Sequence, residues 1–328
     1  MADAKPNVLL VGPPKPLIVN GLSEAFAVHV LADAADPDAF LAEIGPRIAA
    51  IACTMVTVNV TRDIMAACPN LKIVSTFGVG YSHVDVRYAV AHGIVITNTP
   101  GVLTEEVADT TVGLLLATIH ELPRADRYVR DGRWPSGDYP LTATLRGRTV
   151  GMVGMGAIGQ AIARRLDAFG VPILYHSRNP VPGLHYRHYP RLIELARDVD
   201  TMIVIVPGGP ATRHLVNADV LAALGENGVL VNMARGSVVD EQALIAALRD
   251  RTILTAGLDV FTDEPHVPAE LLAMDHTVLL PHVGSATVAT RDRMDRLVVD
   301  NLLAWRAGKA PLNPVAETPW PQAAPGNG

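Results

Sequence analysis

Three segments in the second half of the chain each follow an apolar run rich in β-branched residues and each carry a group that can hold or move charge. Asn232-Met233-Ala234-Arg235-Gly236-Ser237 offers Arg235, Leu258-Asp259-Val260-Phe261-Thr262-Asp263-Glu264-Pro265 offers Glu264, and Leu280-Pro281-His282-Val283-Gly284-Ser285 offers His282. Reducing a 2-keto acid requires a proton donor for the developing alkoxide and a cation for the carboxylate or carbonyl oxygen. A histidine and an arginine supply both, and a carboxylate beside the histidine favours imidazolium near neutral pH. Spacing alone leaves that acid open among Glu264, Asp259 and Asp263. Taken singly, His282 also reads as a structural or solvated histidine and Arg235 as a cap on a strand end.

A second constellation lies upstream. Gly154-Met155-Gly156-Ala157-Ile158-Gly159 is a G-x-G-x-x-G sequence between the apolar run Thr149–Val153 and a helical stretch, Ala157–Phe169, the context in which such a turn binds a dinucleotide. Gly154 permits the tight turn, Gly156 lets the backbone approach a pyrophosphate, and Gly159 lets helix and strand pack closely. The helix N-terminus then presents free N–H groups and a positive dipole end to phosphate. NAD-selective sites carry Asp or Glu about 20 residues beyond the motif. This chain instead reads Leu174-Tyr175-His176-Ser177-Arg178-Asn179, with no carboxylate, so Ser177 and Arg178 are candidates for the 2′-phosphate of NADP, the expected preferred cofactor, with NAD possible; Arg178 as a solvated loop residue is the other reading.

These groups need a scaffold that brings strand ends together. Candidate strands at Val8–Val11, Ala27–Leu31, Ile48–Cys53, Ile73–Phe77 and Val95–Asn98 alternate with helical segments such as Asp38–Ile44 and Thr61–Ala67. Six more follow: Thr149–Val153, Pro172–His176, Thr201–Val206, Gly228–Asn232, Ile253–Leu258 and Thr277–Leu280. Such βαβ alternation implies parallel sheets covered on both faces. The expectation is an α/β chain of two doubly wound parallel-sheet domains, with a Rossmann-like cofactor domain (101–285) inserted into a substrate domain (1–100 and 286–328). The helix Thr104–His120, apolar through Val107–Ile119, is expected to lead the cofactor domain and, with the segment that follows it, to form the core of a homodimer; burial between domains is the other reading of its apolarity. A long helix over Ala286–Arg306 closes the pattern, and the Pro-rich tail Pro311–Gly328 is expected to lack a core of its own.

Composition narrows the partners. A net charge of −6 gives no field that would draw nucleic acid or an anionic membrane, so an anionic substrate needs a local basic group. Met1–Pro6 has no cationic start followed by an apolar run, and Val107–Ile119 is too short to span a bilayer. A cytoplasmic protein is expected, with Cys53 and Cys68 as reduced structural thiols and no metal site.

From about Ser75 to Ala307 the chain resembles the D-2-hydroxyacid dehydrogenase family, particularly its glyoxylate and hydroxypyruvate reductases. The likeness rests on Phe77-Gly78-Val79-Gly80-Tyr81, Val107-Ala108-Asp109, the glycine turn, Ala234-Arg235-Gly236 and Pro281-His282. It implies that Arg235 binds the substrate carboxylate and keto oxygen, that His282 is the general acid or base, and that Glu264 supports His282. It also implies that the Val79 and Gly80 backbone meets the substrate carboxylate, consistent with the anion-binding concavity that consecutive N–H groups make on a glycine turn. Asp259 matches a position contacting the nicotinamide amide, Thr104 one near the nicotinamide pocket, and Ser285, Pro207 and Ala234 join the cofactor set. Trp134, in Asp131-Gly132-Arg133-Trp134, matches a region from which relatives reach the neighbouring subunit's substrate pocket; an ordinary surface aromatic is the other reading. The chain departs from the family pattern at Ser82-His83, where Asp or Asn often follows the tyrosine. Phosphoglycerate dehydrogenases of the family often add a regulatory domain, for which no residues remain. Formate dehydrogenases lack the acid partner of the histidine, and corepressors built on this fold retain much of the triad.

Overall fold

The computed structural model describes residues 5–320. Residues 1–4, part of the leader reading, and 321–328, the end of the Pro-rich tail, lie outside the described residues. The chain divides into two compact units, one running to Leu103 and resuming at Thr287, the other spanning Thr104–Ala286.

In the first unit β1 (Asn7–Val11), β2 (Ala27–Val30), β3 (Ile48–Cys53), β4 (Ile73–Thr76) and β5 (Val95–Thr97) form a parallel sheet ordered β2-β1-β3-β4-β5. Val8–Val11 and Ile73–Thr76 are buried without alternation, as strands covered on both faces must be. The helix Val288–Arg306 packs on β3, β4 and the helix Pro16–Ser23, so the end of the chain completes the unit begun at its start. It begins two residues later than its sequence pattern suggests, because the Thr287 side chain accepts the Thr290 N–H and caps it. Lys15 Nζ meets Asp295 at 2.9 Å, and the Ser75 hydroxyl donates to the Val298 carbonyl at 3.1 Å. The described part of the Pro-rich tail borrows this unit's core. Val315 is buried, Pro314 bridges Thr97, and the Thr318 hydroxyl accepts the Ile96 N–H at 2.8 Å.

The second unit holds β6 (Val150–Val153), β7 (Ile173–His176), β8 (Arg187–Tyr189), β9 (Thr201–Val204), β10 (Val229–Asn232), β11 (Thr255–Leu258) and β12 (Val278–Leu279). All pairs are parallel and the order is β12-β11-β10-β9-β6-β7-β8. This is the dinucleotide-fold order with a seventh strand appended, and its direction of winding reverses between β6 and β9. The sequence suggests six strands here, and the structure adds β8. Arg187-His188-Tyr189 forms an edge strand in which only Tyr189 is buried, so it carries no apolar run to be read.

The apolar helix Thr104–Ile119 finds its cover inside this unit, against β10, β11, β12 and the helix Ala157–Asp167. Gly257 on β11 lets it approach: a Cβ there would lie 2.3 Å from Thr118 Oγ1. Its apolarity is therefore accounted for without a second subunit. Exposed large apolar side chains lie beyond it instead, at Leu122, Val129, Trp134 and Leu141. Among the described residues no helix is long and apolar enough to cross a membrane, and no group of three His, Cys, Asp or Glu side chains could hold a metal ion. Cys53 and Cys68 are free and buried, and burial pushes the Cys68 thiol up to about 11.

Candidate active site

The glycine turn joins β6 to the helix Ala157–Asp167 at the carboxyl edge of the sheet, beside the point where winding reverses. Gly154 has φ +106, and a Cβ on it would sit 2.5 Å from the Ile205 carbonyl oxygen. Gly159 lies against the Gly154 carbonyl, where a Cβ would come within 2.4 Å. Around Gly156, by contrast, nothing lies within 4 Å of a built Cβ, and no side chain caps the helix that starts at Ala157 and Ile158. Open space in front of uncapped helical N–H groups is the arrangement a pyrophosphate requires, so the turn fits a dinucleotide.

The other cofactor candidates share this sheet edge. Ser177 and Arg178 follow β7, and Pro207 follows β9. The Ser177 hydroxyl donates to the Asn179 carbonyl at 2.6 Å, closing the turn, while Arg178 is exposed and has no side-chain partner among the described residues. Pro207 receives the Thr212 hydroxyl on its carbonyl at 2.6 Å.

Arg235, Glu264 and His282 come from the turns after β10, β11 and β12. Asn232 shapes the first of these, accepting the Ala234 N–H at 3.1 Å and donating to the Arg235 carbonyl at 3.3 Å. Arg235 Nη1 donates to the Ala234 carbonyl at 2.7 Å. Burial pushes its guanidinium down from the ordinary value, and Glu264 and Asp259 oppose that shift. The side chain lies on Gly208, where a Cβ would come within 2.8 Å of Arg235 Cγ.

His282 Nδ1 meets Glu264 Oε2 at 2.6 Å, and Glu264 Oε1 accepts the Phe261 N–H at 3.1 Å. Burial pushes the Glu264 carboxyl up, but the hydrogen bond and charge of His282, the Phe261 N–H and Arg235 outweigh it and hold the group below its usual range. His282 itself adopts φ +54, a left-handed backbone rarely accepted by a side-chain-bearing residue. Asp259 holds that turn. Its carbonyl accepts the His282 N–H at 2.9 Å, and its two carboxylate oxygens accept Val283 N–H at 2.7 Å and Gly284 N–H at 2.9 Å. Burial raises the Asp259 carboxyl above its ordinary value, against those N–H groups and the charge of His282. Asp263 faces solvent beside His266 at 3.5 Å. The three carboxylates left open by spacing are thus distinguished: Glu264 pairs with the imidazole, Asp259 clamps its backbone, and Asp263 stands apart.

Ala234 is buried next to Arg235, Ser285 lies three residues past His282 and is half-buried, and Thr104 opens the unit's first helix. In the other unit the turn at Val79 and Gly80 is framed by Asn98, whose Nδ2 donates to the Val79 carbonyl at 2.8 Å, and by Thr99, whose hydroxyl accepts the Gly78 N–H at 2.9 Å. The N–H groups of Val79 and Gly80 have no partner among the described residues. His83, the departure from the family pattern, turns inward, its Nε2 2.5 Å from Thr76 Oγ1. Trp134 is 61% exposed in a short 3-10 turn. Asn232 and Gly208 were not foreseen; Asn232 is visible as the polar end of an apolar run, whereas nothing local marks Gly208.

A parallel sheet with an open glycine turn at its reversal point and an acid-paired histidine on the same edge defines a dinucleotide-dependent oxidoreductase. Residues 112–284 match the model of the D-isomer specific 2-hydroxyacid dehydrogenase, NAD binding domain. The chain is 49% identical over 253 residues to glyoxylate/hydroxypyruvate reductase A of Arabidopsis thaliana, covering 77% of this chain and 81% of that protein. It is 40% identical to 2-ketogluconate reductase of Gluconobacter oxydans, over 95% of this chain and 99% of that one. The crystal structure of an NADPH-dependent glyoxylate/hydroxypyruvate reductase from Sinorhizobium meliloti, in complex with NADP and malonate, superposes with a TM-score of 0.91 at 50% identity, covering 98% of this chain and 100% of that one. The chain belongs to the D-isomer specific 2-hydroxyacid dehydrogenase family.

The contrast among the glycines yields a test. Gly156→Val places a side chain in open space, so the variant should keep the wild-type Tm while its Kd for NADP(H) rises about 10-fold or more, equivalent to at least about 1.4 kcal/mol. Calorimetric titration alongside thermal melts checks this; undiminished nucleotide affinity would mean that the phosphates do not approach Gly156.

Proposed function

We propose that this protein reduces glyoxylate, hydroxypyruvate and similar small 2-keto acids to D-2-hydroxy acids, using NADPH in preference to NADH. The observation that carries the reading is the 2.6 Å pair between His282 and Glu264 on the sheet edge that also holds the partly buried Arg235. Support comes from the reductases at about half identity, one of them described as NADPH-dependent.

The glycine turn with the N-terminus at Ala157, Ile158 and Gly159 would hold the cofactor pyrophosphate, with Thr104, Pro207, Ala234, Asp259 and Ser285 assigned to the remainder. The nicotinamide, when bound, supplies the hydride. Arg235 would neutralise the substrate carboxylate and polarise the keto oxygen, its charge strengthened by burial. His282 would give its Nε2 proton to the oxygen as negative charge develops there, and take it back in the oxidation. Glu264 fixes Nδ1 as the bonded nitrogen, which leaves Nε2 for the substrate. The N–H groups of Val79 and Gly80 are assigned to the substrate carboxylate because they form an unpartnered pair on a glycine turn. The segments 5–103 and 287–320 are accordingly assigned to substrate recognition and 104–286 to the cofactor.

A homodimer is part of the proposal. Its support is the series of exposed apolar residues Leu122, Val129, Trp134 and Leu141, and Trp134 is assigned to the neighbouring subunit's substrate pocket.

His282→Ala should lower kcat about 10²–10⁴-fold in glyoxylate reduction with nucleotide affinity little changed, as expected for loss of a general acid. A folded variant turning over at the wild-type rate would remove His282 from the chemistry. Glu264→Gln keeps a hydrogen-bonding partner for Nδ1 and removes its charge, so kcat for glyoxylate reduction should fall about 10-fold, equivalent to about 1.4 kcal/mol, with nucleotide affinity little changed. A wild-type kcat, with chemistry rate-limiting, would count against the pairing.

Arg178→Ala should raise the KM for NADPH about 10–100-fold and that for NADH far less, the worth of one or two charge-assisted hydrogen bonds to phosphate. Equal changes would place Arg178 on a shared part of the cofactor, and a wild-type preference for NADH would overturn the assignment.

A further inference from the structure

The strand that the sequence pattern does not reveal, β8, bears on the turn that follows β7. Two histidines cross-brace the pair: His176 Nδ1 is 2.9 Å from the Tyr189 carbonyl, and His188 Nε2 is 2.9 Å from the Ser177 carbonyl. A carbonyl oxygen only accepts, so both ring nitrogens carry the proton. The first bond lies within the paired strands, where His176 faces Tyr189 in the register. The second reaches past the last strand residue of β7 to the first residue of the turn. The Ser177 hydroxyl closes the turn on Asn179, and the Tyr175 hydroxyl accepts the Val181 N–H at 2.9 Å. The His188 ring lies against Tyr175, with ring centroids 5.1 Å apart. Arg178 projects from this framework with no bond of its own among the described residues.

We infer that His188 is a positioning residue for cofactor selectivity, holding the root of the 177–179 turn so that Arg178 is presented to the 2′-phosphate of NADP(H). The inference rests on the assignment of Arg178 to that phosphate. An arginine side chain loses substantial rotamer freedom on binding, and a mobile root would add backbone entropy to that cost. Fixing the Ser177 carbonyl removes the backbone part before the ligand arrives. The hydroxyls of NADH at the same place ask less of Arg178, so the brace should act on the phosphate-bearing cofactor in particular. β8 is an edge strand with β7 as its neighbour, and the His188 bond ties this edge into the turn.

The test uses the full chain and two substitutions that separate the ring from its bond. His188→Phe keeps an aromatic ring to pack on Tyr175 and removes the donor, whereas His188→Gln keeps an N–H donor and removes the ring. The ratio of KM for NADPH to KM for NADH should rise about 10-fold in His188→Phe, the effect falling on KM rather than kcat, and should stay within about threefold of the wild type in His188→Gln. Thermal melts on both report folding. The inference is overturned if the two cofactors weaken together, if His188→Gln behaves as His188→Phe does, or if neither variant moves the ratio. Arg178→Ala separates the positioning role of His188 from the phosphate assignment of Arg178. If it changes selectivity and His188→Phe does not, the positioning role fails and the phosphate assignment stands. If neither changes selectivity, the phosphate assignment falls as well.

Discussion

Parallel strand pairing is the constraint from which the site follows. When all the strands of a sheet run one way, each carboxyl end lies on one edge, and each return to the start requires a crossover over a face. Residues scattered between positions 154 and 282 are therefore delivered to a single edge by the turns after β6, β7, β9, β10, β11 and β12. The same constraint explains why the strands read as apolar runs: crossover helices cover both faces, so there is no solvent face for polar residues to occupy. The apolar helix Thr104–Ile119 is a consequence of this arrangement. It lies on the sheet at β10, β11 and β12, which require an apolar cover at that point.

Burying charge next to charge is costly unless each group is paired and hydrogen-bonded, and the turn backbones provide the bonds. Glu264 takes the Phe261 N–H, Asp259 takes two N–H groups from the His282 turn, and Arg235 donates to the carbonyl of its own neighbour. The two carboxylates, Asp259 buried and Glu264 partly so, respond in opposite senses. Burial dominates at Asp259, whereas imidazole and guanidinium prevail at Glu264. One environment thus yields an acid kept ionised beside the histidine and a second whose carboxylate holds the His282 turn. A left-handed residue stores strain on the order of 1–3 kcal/mol. At His282 it is held by three bonds converging from Asp259, so the imidazole is aimed by a backbone that could not otherwise keep this shape.

Much of this was legible because it rests on short-range patterns. The glycine turn, the strand runs and the positions of Arg235 and His282 all follow from residues adjacent in sequence. The choice among Glu264, Asp259 and Asp263 was not legible by spacing, because it depends on which carboxylate the Phe261 N–H and the His282 ring converge upon. β8 was missed because an edge strand needs burial on little of its surface, and Arg187-His188-Tyr189 carries no apolar alternation. The apolarity of Val107–Ile119 does not by itself say what covers it, because a sheet and a second subunit leave the same mark on a helix. Gly208 left no signal, since its requirement comes from an arginine many residues away.

The insertion of one unit within the other has a physical cost that particular contacts offset. The first unit cannot complete its core until the chain returns at Thr287, and closing so long an excursion costs entropy that grows slowly with its length. The second unit is continuous, so its strands pair without waiting for either terminus. The contacts that then close the first unit join its two pieces directly. Lys15 pairs with Asp295, whose side chain is only 9% exposed, Ser75 bonds Val298, and Thr318 receives the Ile96 N–H. Removing one member of a shielded ion pair costs more than the pair contributes, because the remaining charge stays without its partner. The Lys15 ammonium also lies 3.3 Å over the Phe77 ring, two residues before Val79. The bond that ties the two ends of the chain together therefore also bears on the strand end from which the proposed carboxylate turn departs.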